Sequence, residues 1–292
     1  MLRLSSGLLV IATVGLGVAK LSTATMAQLT YATPGPEAQL QAPSTTQREA
    51  APHTVQIFLA TEADVLIEDS EGKRIGMDFK SRKFFSEIPE ARAIANENST
   101  TFVLPFDNSG KLYRIQVSGK SASHTDADLS MAGPGFVVGF RGLALTSGQV
   151  LTMSIGSTGS QLSFTANQDG PIPQLFLTLQ SGRGKPSYRF DLTSSFLETG
   201  KTITVNLDVE KGRLYFKSDD IKRASFGVKM RRTNPGGTRE MFTHQAISFG
   251  KTNSYAMDFG RWDGKSEMCF YEWCEVCDLK PCTKLGNEAN VK

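Results

Sequence analysis

The four cysteines of this 292-residue chain fall together near its C-terminal end, at Cys269, Cys274, Cys277 and Cys282, in the pattern C-x4-C-x2-C-x4-C. Four thiolates at such spacing could close a tetrahedron around zinc and leave no open coordination position. In an oxidising compartment the same side chains pair into two disulfides instead, and the even count suits that outcome. The N-terminus decides between the two. Met1-Leu2-Arg3 is a short basic start, followed by an uncharged, mostly apolar or small run from Leu4 to Ala19. This is the layout of a secretory signal. The run is shorter than the about 20 apolar residues of a membrane span. Small residues at Ser22/Ala24 or Thr25/Ala27 offer cleavage sites, and cleavage after Ala27 is expected, with retention as an anchor as the alternative. No cysteine stands directly after the apolar run at the cleavage region, so nothing there could take a lipid. An exported chain meets an oxidant, and two disulfides are the expected state, with no metal and no cofactor. Three connectivities are open; Cys269–Cys282 with Cys274–Cys277 would nest the loops, and Cys269–Cys274 with Cys277–Cys282 would string them in series. Either would staple a tail with few apolar residues of its own.

Trp273-Cys274-Glu275-Val276-Cys277 resembles the W-C-x-x-C of thioredoxin-like oxidoreductases, which implies a thiol–disulfide role for Cys274 and Cys277 as an alternative function. In those proteins the motif follows a strand early in a βαβ domain, whereas here only fifteen residues follow Cys277. A structural disulfide under Trp273 accounts for the same residues. No catalytic residue is expected. His53 lies in a linker, His124 in a polar Ser/Thr/Asp stretch and His244 at a strand end, and a lone strand histidine is more often a packed or surface residue than a base. Ser70-Glu-Gly-Lys73 matches S-x-x-K in form but falls in a hairpin turn rather than at a helix start. Gly184-Lys185 is followed by Pro186 and has Leu179 where a phosphate loop needs glycine. A hydrolase with carboxylates drawn from separate loops is the other alternative. Asp126-Ala-Asp128 and Ser218-Asp219-Asp220 offer oxygen ligands without the spacing of a calcium loop, so they read as solvated turns. Lys211, Arg213, Lys217, Lys222, Arg223, Lys229, Arg231 and Arg232, interleaved with Tyr215 and Phe216, are either a solvated strand face or a patch for an acidic polysaccharide or anionic surface.

The elements that must position these residues are strands. With 39% hydrophobic and 21% charged residues the composition is globular, which excludes collagen-like, disordered and polytopic membrane chains. The formal charge of +3 falls to +1 when Arg3 and Lys20 leave with residues 1–27, too little to suggest nucleic acid as a partner. Residues 28–54 are rich in Pro, Ala, Gln and Thr and read as a linker. From Val55 onward, β-branched and aromatic runs alternate with Gly, Asn, Asp and Ser, the texture of an all-β sandwich. Strands are predicted near Val55–Ala60, Asp64–Glu68, Thr101–Leu104, Lys111–Val117, Phe136–Leu145, Val150–Ile155 and Gln161–Thr165. A second set is predicted near Gln174–Gln180, Ser187–Leu192, Thr202–Val209, Arg213–Lys217, Ser225–Arg231, Glu240–His244, Ser254–Phe259 and Glu267–Trp273. Asn234-Pro-Gly-Gly237 reads as a hairpin turn, and Glu90–Ala95 as the one short helix, since Pro89 and three alanines favour it. A Gly-Pro break at 167–173 separates a first sandwich at 55–167 from a second at 173–268, with a Cys-rich tail at 269–292. One larger sandwich of about fifteen strands is the alternative.

Two segments carry a resemblance. Asp64–Asp78 (DVLIEDSEGKRIGMD) with Ser86-Glu-Ile-Pro-Glu-Ala91 resembles a recurring module of secreted bacterial proteins, in which a strand runs into an acidic-Gly-basic turn. Val228–Glu240 with Asp258-Phe-Gly-Arg-Trp-Asp-Gly264 is similar to the closing half of immunoglobulin-like modules in proteins of the same kind. The modules that these segments resemble would together cover most of residues 55–265. The resemblance implies tandem immunoglobulin-like β-sandwiches of unassigned function and transfers no catalytic residue; the Cys-rich tail lies outside it. In a bacterial protein the sequon Asn98-Ser99-Thr100 carries little weight. These readings lead to the expectation of a secreted or periplasmic, non-enzymatic structural or surface-binding module. Its partner would be a cell-surface polysaccharide or another exported protein.

Overall fold

Strands form because β-branched and aromatic residues alternate with polar ones, and glycine, asparagine and aspartate break the alternation at the turns. The computed structural model describes residues 54–288 apart from 61–62, 97–98, 107–108, 121–124, 181, 183, 195, 220–224, 249–253 and 273–281. The expected signal segment, almost all of the linker, His53, Asn98, His124, Asp220, Lys222, Arg223, Cys274 and Cys277 lie outside the described residues. Among those described, no helix is long and apolar enough to cross a membrane.

The chain opens with β1 (Thr54–Leu59), β2 (Ala63–Glu68), β3 (Arg74–Met77), β4 (Phe84–Ser86), β5 (Arg92–Asn96), β6 (Ser99–Pro105) and β7 (Leu112–Gly119). It continues with β8 (Thr125–Gly133), β9 (Phe136–Leu145), β10 (Leu151–Gly156), β11 (Gln161–Thr165), β12 (Gln174–Gln180), β13 (Ser187–Ser194) and β14 (Thr202–Asp208). The last are β15 (Arg213–Ser218), β16 (Ser225–Thr233), β17 (Arg239–Ser248), β18 (Ser254–Asp258), β19 (Met268–Glu272) and β20 (Thr283–Leu285). They build two antiparallel sheets. Sheet 1 has the order β17-β16-β13-β12-β9-β8-β1-β6-β5, and sheet 2 the order β20-β19-β18-β15-β14-β11-β10-β7-β2-β3-β4.

The connectivity has two styles. From β8 onward each hairpin lies in the sheet opposite its predecessor: β8–β9 in sheet 1, β10–β11 in sheet 2, and so on in turn to β18–β19. The first seven strands are nested instead, with β1 held between β6 and β8, and β2 between β3 and β7. Both sheets run through the 167–173 stretch, because β12 pairs with β9 in one and β14 with β11 in the other. Residues Glu49–Lys292 accordingly form one compact unit. Their buried side chains make a single cluster reaching from Val55 to Phe270. β14 shows the rule that builds it: Ile203, Val205 and Leu207 point into the core while Thr202, Thr204, Asn206 and Asp208 face away.

The predicted strands are present, those at Phe136–Leu145, Gln161–Thr165 and Gln174–Gln180 with the expected ends and the others with ends moved by a residue or more, and the Asn234–Gly237 hairpin is present with Gly237 at φ 81°. The predicted helix at Glu90–Ala95 is not formed. Ala91 N–H donates to the Ile88 carbonyl at 3.3 Å and Glu90 takes φ 62°, which turns the chain out of a helical path. Residues 92–96 then pair with β6 as β5, so strand pairing overrides the helical preference of the alanines. Four further strands, β3, β4, β8 and β20, come without strong alternation in the sequence. β8 is polar at Thr125, Asp126, Asp128 and Ser130, and its inward side is only Ala127, Leu129 and Met131.

Candidate functional site

On the outer face of sheet 1 the alternation of β13 and β16 sets up a charged surface. Phe190 and Leu192 point inward, so Arg189 and Asp191 point outward; Val228 and Met230 point inward, so Lys229 and Arg231 point outward. Register brings Arg189 opposite Arg231 and Asp191 opposite Lys229. On the other side of β13, Phe176 of β12 lies opposite Asp191, and Gln174 pairs with Arg141 of β9. Arg189 grips Asp191 with two hydrogen bonds, Nε to Oδ2 and Nη2 to Oδ1, both at 3.0 Å. Arg141 approaches the same carboxylate at 3.5 Å and stacks its guanidinium 4.6 Å from the Phe176 ring centre. The Asp191 carboxylate holds the Arg189 guanidinium above its usual pKa, so this cation is fixed at every accessible pH.

One carboxylate thus serves two guanidinium groups, and the neighbouring Lys229 and Arg231 make no ion pair among the described residues. Like charges directly across a strand pair destabilise a sheet, so the Arg189–Arg231 pair is not a device for stability. The surface forms an open depression of about 610 Å³, closed on one side by Thr243, His244 and Gln245 of β17. Its residues can bind anionic oxygens through planar guanidinium forks and an ammonium group. In the interior, the apolar void among Ile172, Leu192 and Phe226 measures about 10 Å³.

The basic residues predicted as one patch are divided by the fold. Arg213 and Lys217 lie on the outer face of sheet 2, since Leu214 and Phe216 on the same strand point inward; among the described members of the patch, Lys229 and Arg231 alone line the site. Arg232 turns inward at the end of β16, where it pairs with Glu240 at 2.5 Å, donates to the Trp262 carbonyl at 2.6 Å and lies 5.2 Å from that indole. The Arg232 hydrogen bond holds the Glu240 carboxyl below its usual pKa. Beside it, Asp263 accepts backbone hydrogen bonds from Ser266 and Lys265, which lower its pKa to about 2. The two segments of the second resemblance therefore meet in one knot. Sequence reading missed Arg141, Phe176, Arg189 and Asp191; the x-Arg-x-Asp-x alternation of 189–191 was the available signal, but only register shows that it shares a face with Lys229 and Arg231.

The remaining candidates are dispersed. Lys73 pairs with Glu71 at 2.8 Å in the exposed β2–β3 turn, far in function from an S-x-x-K helix start. Asp128 caps the Gly142 N–H at 3.1 Å. No group of three or more metal-ligating side chains occurs among the described residues. His244 Nδ1 lies 3.3 Å from the Gly286 carbonyl and 3.3 Å from Glu288. Cys269, inside β19, and Cys282 form a disulfide with Cα atoms 5.4 Å apart. Asp258, opposite Cys269 in the ladder, is 2% exposed and lies 4.0 Å from Arg213 Nε and 3.7 Å from Arg261 Nε, a charge contact without a hydrogen bond.

Fold and site together define a class: an all-β protein of two large antiparallel sheets with a cationic face on one of them. Compared with protein-family models, curated proteins and solved structures, the chain matches none.

Proposed function

We propose that this chain is an exported, non-enzymatic β-sandwich binding module whose sheet-1 face holds an acidic polysaccharide. The observation that carries the reading is the surplus of cations at Arg141, Arg189, Lys229 and Arg231 over the one carboxylate of Asp191. An open depression suits an extended polymer better than a small molecule, which prefers an enclosing pocket. The signal-like N-terminus and the Cys269–Cys282 bond support a secreted or periplasmic location. The test is binding of heparin and of polygalacturonate to the purified mature protein at two salt concentrations. Retention should weaken with salt, as charge-driven binding does. Lys229→Ala with Arg231→Ala should lower affinity by about tenfold or more, while Lys211→Ala with Lys217→Ala, which touches the other sheet, should leave it unchanged. Equal loss in both pairs, or none in the first, overturns the assignment.

A further inference from the structure

β17 is the outermost strand of sheet 1, and no strand among the described residues pairs with the backbone groups on its far side. The other outermost strands are β5 with five residues and β4 and β20 with three each, whereas β17 has ten. Short edges are poor templates for pairing with another chain; a long one invites it. The fold treats this edge differently from the others. After β20 leaves sheet 2, residues 286–288 lie along β17 and satisfy its outward groups with side chains. Asn287 Oδ1 accepts from the Thr243 N–H at 3.0 Å, and its Nδ2 donates to the Met241 carbonyl at 2.8 Å. Glu288 Oε2 accepts from the Gln245 N–H at 3.0 Å. Residues 241, 243 and 245 alternate as the outward-facing positions of an edge must, so the three bonds occupy ladder positions. A primary amide carries one donor set and one acceptor, as a peptide group does, and Asn287 stands in for a residue of a neighbouring strand.

We propose that the free edge of β17 is a strand-docking surface, occupied within the chain by Asn287 and Glu288, and by the β17 edge of a second copy when those residues are withdrawn. The occupant follows from self-complementarity: an antiparallel edge paired with itself about a twofold axis gives both copies the same ladder. Centring the pair on Thr243 places Thr243 opposite its counterpart, Met241 opposite Gln245 and Arg239 opposite Ile247. No like charges face each other directly in that register, and a threonine pair is a favourable cross-strand contact. A backbone ladder along β17 would replace three side-chain hydrogen bonds. The plug holds because it is intramolecular, anchored by the pairing of β20 with β19 and by the Cys269–Cys282 bond.

The test is sedimentation equilibrium of the mature protein, of Asn287→Ala with Glu288→Ala, and of a chain ending at Gly286. The parent should be a monomer at concentrations where both altered chains are dimers, with a dimer dissociation constant at least tenfold lower in the altered chains. Thr243→Pro, which removes an N–H that points away from β16, should return them to monomers. So should Met241→Lys with Gln245→Lys, which sets lysines opposite each other and guards against a proline variant that fails to fold. Altered chains that stay monomeric overturn the proposal. It is equally overturned by dimers that survive both blocking changes, by a parent that dimerises as strongly, or by multiples that grow with concentration, which would mean β17 pairing with β5 of the next copy.

Discussion

The nested end of the molecule, β1–β7, and the hairpin series, β8–β20, use the same sheets and solve different problems. In the nested end, neighbours in space are distant in sequence: Thr54 lies opposite Pro105, and Gln56 opposite Ala132. Such pairings cost loop-closure entropy before they return any burial. In the series each new hairpin lies beside one formed two hairpins earlier, and the pattern contains no internal reason to stop. A fold built by repetition needs a distinct terminal cap. Three specific side-chain devices gather there: the Arg232–Glu240–Trp262 knot, the Cys269–Cys282 bond and the Asn287–Glu288 plug all lie at the end of the series. The nested end closes instead with the short strands β4 and β5. The lesson is that a topology which pairs distant segments terminates itself, whereas a serial one has to be terminated by specific side chains.

The largest expected effect breaks the series from within. Phe190 is fully buried, with Phe259 at 5.1 Å between ring centres, and Phe190→Ala should cost about 3–5 kcal/mol, read as a drop in the urea midpoint. Hydrogen exchange should then rise in β12–β19 more than in β1–β7; equal loss in both regions would erase the distinction drawn between them. Next comes the cap. Cys269 and Cys282 are 13 residues apart in sequence, and Cys269→Ser with Cys282→Ser should cost about 2–4 kcal/mol. Exchange protection should fall first in β18–β20, and unaltered protection there would show that the bond does not hold the cap. Removing the inward cation by Arg232→Met should cost about 1.5–3 kcal/mol through the lost charged hydrogen bonds, with a midpoint within error of the parent counting against the knot.

The smallest effect is a pH dependence confined to the knot. Asp263 has a folded pKa lowered to about 2 by its backbone hydrogen bonds, and Glu240 is lowered by Arg232. A depressed carboxylate pKa stabilises the fold above the unfolded value, and that contribution is lost as pH falls through the folded one. Trp262 fluorescence should therefore change between the usual Asp value of about 4 and about 2, and Asp263→Asn should flatten that part of the profile. An unchanged profile in the variant would assign the transition to other carboxylates.

Much of the fold is legible in the sequence because alternation is a local signal. Gln161–Thr165 and Gln174–Gln180 carry their inward and outward faces in their own residues, and their predicted ends coincide with the observed ones. The helix at Glu90–Ala95 fails for the complementary reason: alanines state a local preference, but the open edge of β6 offers hydrogen bonds that a short helix cannot match. The short strands β3, β4 and β20 have too few residues to show a period.

The candidate site was half legible. Lys229 and Arg231 are adjacent outward positions on one strand, so their shared face follows from their spacing. The basic stretch that contains them also holds Arg213, Lys217 and Arg232, which the fold sends to the opposite face and to the interior end.

By itself the sequence determined that this chain is all-β, where most strands lie, which side of each is buried, and that four cysteines gather near its end, because each of these depends on neighbours a few residues apart. Only the tertiary structure decided that Arg141 and Arg189 join Lys229 and Arg231, that Cys269 bonds to Cys282, and that Asn287 reaches the edge of β17. These are facts of register between distant strands, and register is set by how a whole sheet buries its faces together rather than by any one strand's residues.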